Sequence, residues 1–244
     1  MEEVERLKAE LDAQRPLATR AIDALRLYYD LELTHTSTAI EGNTLTARET
    51  AELVEHGITV GGKPIRDHLE VLDHQDALGW MRELAARDTP LDESTVTELH
   101  RRIVLRSAPE IAGFYSSLRR RITGSTVVFP NPAKLPTLME AFGAWLAAVD
   151  PSPALAFDAH LRLVSIHPFA DGNGRTARLL MNLLLLRAGY PPVAIRPDDR
   201  TAYIAAIERA QLTEDGNAYH QLLTERLRET LIDYLDVVRE ALPE

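Results

Sequence analysis

Apolar residues in this chain recur three and four apart along nearly its whole length, the period of α-helices with one face turned inward. Proline and glycine cut that pattern into separate lengths. Residues 2–15 are charged and helix-favouring and stop at Pro16. Residues 17–40 carry Leu17, Ile22, Leu25, Leu27, Leu31 and Ile40 at helical spacing. Glu41-Gly42-Asn43 ends them, because Gly and Asn suit the left-handed conformation of a helix C-terminus. Thr46-Ala47-Arg48-Glu49 reads as a capping box opening a helix up to Gly57. After the turn Val60-Gly61-Gly62-Lys63-Pro64, helices are predicted at about 66–87, 92–106, 134–149, 154–166, 174–188, 199–213 and 217–240. One stretch departs from the period. In Arg121 to Phe129, two β-rich pieces flank Gly124-Ser125, which predicts a hairpin closed by Pro130, Pro132 and Pro136. The predicted fold class is therefore all-α, a helical bundle with one small β-hairpin. Residues 1–60 read as an N-terminal helical extension, 61–215 as the core and 216–244 as a C-terminal helix, with no further domain expected.

Composition narrows the function classes. Lys plus Arg is 27 and Asp plus Glu is 37, a net charge of −10, which argues against non-specific nucleic-acid binding and leaves room only for a local basic site. The run Arg119-Arg120-Arg121 is such a patch, placed to steer an acidic partner or a nucleotide. There is no cysteine, so disulfides, thiolate catalysis and Cys-ligated zinc are excluded. The acidic, amphipathic N-terminus is not a secretory signal, and the longest apolar run, Leu183 to Leu186, is too short to cross a bilayer. No membrane association is expected, and the expected location is the cytoplasm. His56, His68, His74 and His100 are spread over three predicted helices without metal-ligand spacing.

Residues 167–178 carry the chemistry: His-Pro-Phe-Ala-Asp-Gly-Asn-Gly-Arg-Thr-Ala-Arg. Pro168 disfavours the α conformation at His167, so the preceding helix should stop there. Gly172 and Gly174 permit a tight loop, and a strongly apolar helix follows at once. A helix N-terminus offers unpaired backbone N–H groups and the positive end of the dipole, which bind an anion. Arg175 and Arg178, three apart, lie on one helix face. Among these cations, the carboxylate of Asp171 is best used as a magnesium ligand beside phosphates. His167, at the mouth of the loop, has a pKa suited to proton abstraction. A base, a metal ligand, an anion nest and two arginines make a site for transfer at phosphorus. Singly each feature also fits a structural histidine, a solvated helix face or a common turn. Their concentration in one loop favours the chemical reading.

The string resembles the signature of the Fic family (filamentation induced by cAMP), HPFxxGNGRxxR, and matches it at every fixed position. The resemblance covers roughly residues 30–213, and the helical layout with a hairpin before the motif is similar to the family's. It implies a Fic-type bundle and transfer of AMP from ATP to a Tyr, Ser or Thr hydroxyl of a target protein. His167 would be the base and Asp171 the Mg²⁺ ligand. Gly172, Asn173 and Gly174 would cradle phosphate oxygens, and Arg175 and Arg178 would neutralise the β and γ phosphates. Phe169 reads as a buried anchor. The resemblance makes the hairpin a flap, Ile122, Thr123, Gly124, Ser125, Thr126 and Val127, that registers the target backbone. It places adenine contacts at Tyr203 and Gln211, which read equally well as a packed Tyr and a surface Gln.

Ser37-Thr38-Ala39-Ile40-Glu41-Gly42 is similar to the inhibitory motif [S/T]xxxE[G/N] of one class of the family. There the glutamate pairs with the second arginine of the signature, here Arg178, and occupies the γ-phosphate position. The motif also reads as a plain helix end. A carboxylate at a helix C-terminus is electrostatically unfavourable, so a partner explains Glu41 better. The resemblance thus implies an autoinhibited protein adenylyltransferase, released by displacement of Glu41 and open to self-modification and homodimer formation. The alternatives are removal of AMP from a modified target at the same site, or nucleotide sensing without turnover. The intact His167 argues against the last. Relatives transferring UMP or phosphocholine remain alternatives, whereas kinase-like relatives depart from the GNGR core.

Overall fold

The computed structural model describes residues 1–121 and 124–241. Ten α-helices form the described chain: α1 (Glu2–Ala13), α2 (Thr19–Ala39), α3 (Ala47–His56), α4 (Ile65–Ala85), α5 (Glu93–Val104), α6 (Leu135–Ala148), α7 (Pro153–Ile166), α8 (Asn173–Arg187), α9 (Arg200–Thr213) and α10 (Asn217–Glu240). The stops and starts are those of the sequence. The Thr46 side chain accepts the Glu49 N–H while Glu49 reaches back to the Thr46 N–H, and Gly57 closes α3 in the left-handed conformation.

At the centre lies α8, whose residues are almost all buried: leucines in its second half pack the core, and Arg175 and Arg178 in its first turns face the site. It packs against α7, α4 and α5. The N-terminal helices do not stand apart. Val4, Leu7 and Leu11 of α1 and Leu25, Tyr29 and Leu33 of α2 share one core with Leu235 and Val238 of α10 and with the leucines of α8. A satellite core of Leu45, Leu53 and Val71 fastens α3 onto α4.

The predicted hairpin is not seen as paired strands. Ile122 and Thr123 lie outside the described residues, and Gly124 to Phe129 carry no strand pairing. Two short strands without a third are marginal in water, and Val128 here is 79% exposed. The β-bridge among the described residues lies elsewhere, between Tyr115 and Phe169, so the segment before the flap is stitched to the loop at 167–172.

Candidate active site

The loop is built by its own backbone. α7 ends at Ile166, and His167 takes the left-handed conformation (φ 51°, ψ 55°), a state that costs a non-glycine residue about 1–3 kcal/mol and is held only by its surroundings. Those surroundings are explicit. The Pro168 carbonyl accepts the Ser116 N–H at 2.8 Å. Phe169 is fully buried, and its N–H and C=O both bond the Asn173 amide at 2.9 Å. Its ring stacks on His100 at 3.7 Å with the planes 1° apart. His100 Nδ1 accepts the Gly113 N–H at 3.0 Å, so Nε2 carries the proton and donates to the Asp171 carbonyl at 3.0 Å. Burial pushes the His100 pKa down to about 4, so the ring is neutral. His100 is thus a central support of the loop. Its sequence position gave no sign of it, because its partners lie far away in the chain.

His167 itself is half-buried beneath Phe129, with ring centroids 4.1 Å apart. Its Nδ1 lies 3.4 Å from the Val164 carbonyl, a contact that suits a protonated Nδ1 and leaves Nε2 with a free lone pair. Burial lowers its pKa below the ordinary 6.5, against the weaker upward pull of Val164 and Glu41. The imidazole is therefore neutral, the form a base requires.

Two acid–arginine pairs flank the N-terminus of α8. On one side, Glu41, just past α2, lies over Gly174. A Cβ at Gly174 would come 2.3 Å from Glu41 Oε1, so only glycine admits the carboxylate here. Arg178 Nη2 donates to Glu41 Oε1 at 2.8 Å and to the Ser37 carbonyl at 2.8 Å, and Nε donates to Ser37 Oγ at 2.9 Å. On the other side, Asp171 Oδ1 accepts the Gly172 N–H at 2.7 Å and Oδ2 accepts Arg66 Nη2 at 2.8 Å, with Arg175 Nη2 3.4 Å from Oδ1. Burial pushes the Asp171 pKa up, but Arg175, the Gly172 N–H and Arg66 outweigh it and hold the carboxyl below its usual value. Arg175 is 2% exposed, yet its Nε and Nη1 have no hydrogen-bond partner. Buried guanidinium donors left open in this way are suited to an incoming anion.

Glu41, Gly174, Arg178 and His167 line one cavity together with Tyr203, Gln211, Ser125 and Glu208. At about 130 Å³ it falls below the about 300–1,000 Å³ of sites that enclose a small ligand. Glu41 is part of what fills it. Ser125 Oγ donates to Glu208 at 2.6 Å, tying the 124–129 segment to α9. Tyr203 is 1% exposed and its hydroxyl bonds His160 at 2.6 Å, while its side chain also lines the cavity. Gln211 Nε2 bonds Ser165 Oγ at 3.2 Å, on the cavity wall. Arg66 and Glu70 of α4 and His100 of α5 are site residues that the sequence did not single out.

A half-buried imidazole, a helix N-terminus and two buried arginines thus meet on an all-helical frame. Comparison with known proteins is specific. Residues 90–185 match the Fic/DOC family. A protein adenylyltransferase Fic of Nematostella vectensis is 43% identical over 179 residues, 71% of this chain and 42% of the relative. That of Drosophila willistoni is 38% identical over 211 residues, 82% of this chain and 42% of the relative. The chain therefore spans about two fifths of the length of these relatives. Among solved structures, a Fic-domain-containing signaling protein from Bacteroides thetaiotaomicron superposes with a TM-score of 0.89 at 27% identity, covering 99% of this chain and 98% of that one. Fic-1 (residues 134–508) from C. elegans gives 0.88 at 29%, covering 98% and 72%. The chain belongs to the Fic/DOC family. Among the described residues no helix is long and apolar enough to cross a membrane.

Proposed function

We propose that this chain is a protein adenylyltransferase restrained by its own Glu41. The relatives named as such support the transferase, and the site suits its chemistry. The target hydroxyl loses its proton to His167 Nε2 and attacks the α-phosphorus of ATP. A P–O bond forms to the target, the bond to the β-phosphate oxygen breaks, and pyrophosphate leaves. The N-terminus of α8 and the open donors of Arg175 would receive phosphate oxygens. Asp171 suits magnesium only in a limited sense. Among the described residues no group of three or more His, Asp or Glu is placed to hold a metal ion. A single half-exposed carboxylate fits a magnesium ion that shares its ligands with phosphates, and such an ion would neutralise charge there. The acceptor is a Tyr, Ser or Thr hydroxyl of a target protein, and the flap from Ile122 to Val127 docks it, supported by Ser125 on the cavity wall and Phe129 stacked on His167.

The observation that carries the restraint is the place of Glu41. A carboxylate sits on the anion nest, bonded to the arginine that would otherwise serve the γ-phosphate. Guanidinium–carboxylate pairing is charge-assisted and a credible rival to phosphate. Incubation with α-labelled ATP and Mg²⁺, with labelled protein as the readout, tests the transferase. Because Glu41 shares the cavity with His167, it is also placed to orient a water. Release of AMP from a modified protein tests that reverse reading.

A further inference from the structure

Four charged side chains close a ring on the Asp171 side of α8. Arg66 and Glu70 stand one turn apart on α4. Arg66 Nη2 donates to Asp171 Oδ2 at 2.8 Å, and its Nε donates to Glu70 Oε1 at 3.0 Å. Arg175 completes the circuit, with Nη2 3.4 Å from Asp171 Oδ1 and Nη1 3.7 Å from Glu70 Oε1. Carboxylate and guanidinium alternate, so the ring is neutral. Its members differ in freedom. The Arg175 side chain is 2% exposed and that of Glu70 11%, whereas Asp171 is 44% and Arg66 58% exposed. Glu70 is held further by the Asn43 amide at 3.1 Å, and Asp171 by the Gly172 N–H. Arg66 is the one member that can leave without unpacking anything.

Both Asp171 oxygens are engaged, Oδ1 by the Gly172 N–H and Oδ2 by Arg66. A guanidinium on Oδ2 and a divalent cation on the same oxygen are competitors. We propose that Arg66 is a placeholder cation: it holds Asp171 in the ring when no divalent ion is present and gives up Oδ2 to one arriving with the nucleotide. Arg66 thereby sets how strongly the site prefers metal-bound over metal-free nucleotide. Glu70 receives the displaced guanidinium and keeps Arg175 in position. The inference rests on the reading of Asp171 as a magnesium ligand, and its test separates the two.

The test is calorimetric titration with ATP in the presence of Mg²⁺ and in the presence of a chelator. The background is the full chain carrying Glu41→Gly and His167→Ala, which clears the nest and prevents turnover. The readout is the ratio of the two affinities, which needs no catalysis. Arg66→Ala should raise the ratio about two- to fivefold, the scale of an exposed ion pair. Arg66→Glu, which sets a second carboxylate beside Asp171, should raise it further. A purely structural Arg66 would give no gain from either change. Asp171→Asn should bring the ratio close to one. If Asp171→Asn lowers the ratio while both Arg66 variants leave it at the wild-type value or below, the placeholder role is wrong and the metal reading stands. If Asp171→Asn also leaves it unchanged, the metal reading falls and this inference with it.

Discussion

Glu41–Arg178 and Asp171–Arg66 are both acid–arginine pairs at 2.8 Å, one on each side of the same helix N-terminus, yet they are built in opposite senses. In the first pair the arginine is fixed: its side chain is 6% exposed and bonded to Ser37, while Glu41 is 37% exposed at the end of α2. In the second the carboxylate is fixed, by the Gly172 N–H and a loop stacked on His100, and the arginine is 58% exposed. Under the proposed function, the partner tethered by further hydrogen bonds, Arg178 to Ser37 and Asp171 to the Gly172 N–H, is the one that serves the ligand, and its looser partner is the one exchanged. On that reading Glu41 stands where a phosphate would go, and Arg66 where a cation would go.

This contrast can be broken at several points. The largest effect is expected at His167, the proposed base. His167→Ala should cost about 10²–10⁴ in transfer rate while leaving ATP affinity within a few-fold, because the imidazole acts on the target hydroxyl. Labelling kinetics beside calorimetric ATP titration measure both, and full labelling by the variant would remove His167 from the chemistry.

On the fixed-carboxylate side, Asp171→Asn should lower the rate on the order of tenfold or more, since a contact to a charged group contributes about 1.5–3 kcal/mol. ATP affinity should fall less, and raised magnesium should restore part of the rate. A rate indifferent both to the substitution and to metal concentration would contradict the role given to this pair.

The smallest effect is on pH dependence. Burial already holds the His167 pKa below 6.5, so the acid limb of the rate should lie below that value. Glu41 pulls the same pKa upward, so its removal should move the limb to lower pH. Rate–pH profiles of wild type and Glu41→Gly give the comparison. A shift to higher pH would mean that the carboxylate does not act on the imidazole.

Much of the site could be read from local order along the chain. The stop at His167, the left-handed turn at Gly172 and the helix that starts at Asn173 are contiguous, and their backbone rules act over a few residues. The helix ends were legible for the same reason, as at the Thr46–Glu49 capping box. The pairing of Glu41 with Arg178 spans 137 residues and was reachable only through a family resemblance. Arg66, Glu70 and His100 were not legible. On α4 and α5 they look like ordinary polar positions, and only packing of those helices against α8 brings them to Asp171, 105 residues from Arg66. Tyr203 reads as packing or contact from the sequence; it is buried and also lines the cavity beside Glu41 and His167. Of the predicted hairpin, the described residues Gly124 to Phe129 carry no strand pairing, and β-propensity alone does not hold an isolated pair.

The most direct test of the account is the initial rate of protein labelling from α-labelled ATP in wild type and Glu41→Gly, with Glu41→Gln and Arg178→Ala beside them. Competition within one chain typically amounts to about 1–3 kcal/mol, or roughly 5–150-fold. Glu41→Gly should therefore raise the rate by about tenfold or more, Glu41→Gln should raise it in part, and Arg178→Ala should not raise it. An unchanged or lower rate in Glu41→Gly, with its helical circular dichroism intact, would contradict the claim that Glu41 restrains the site.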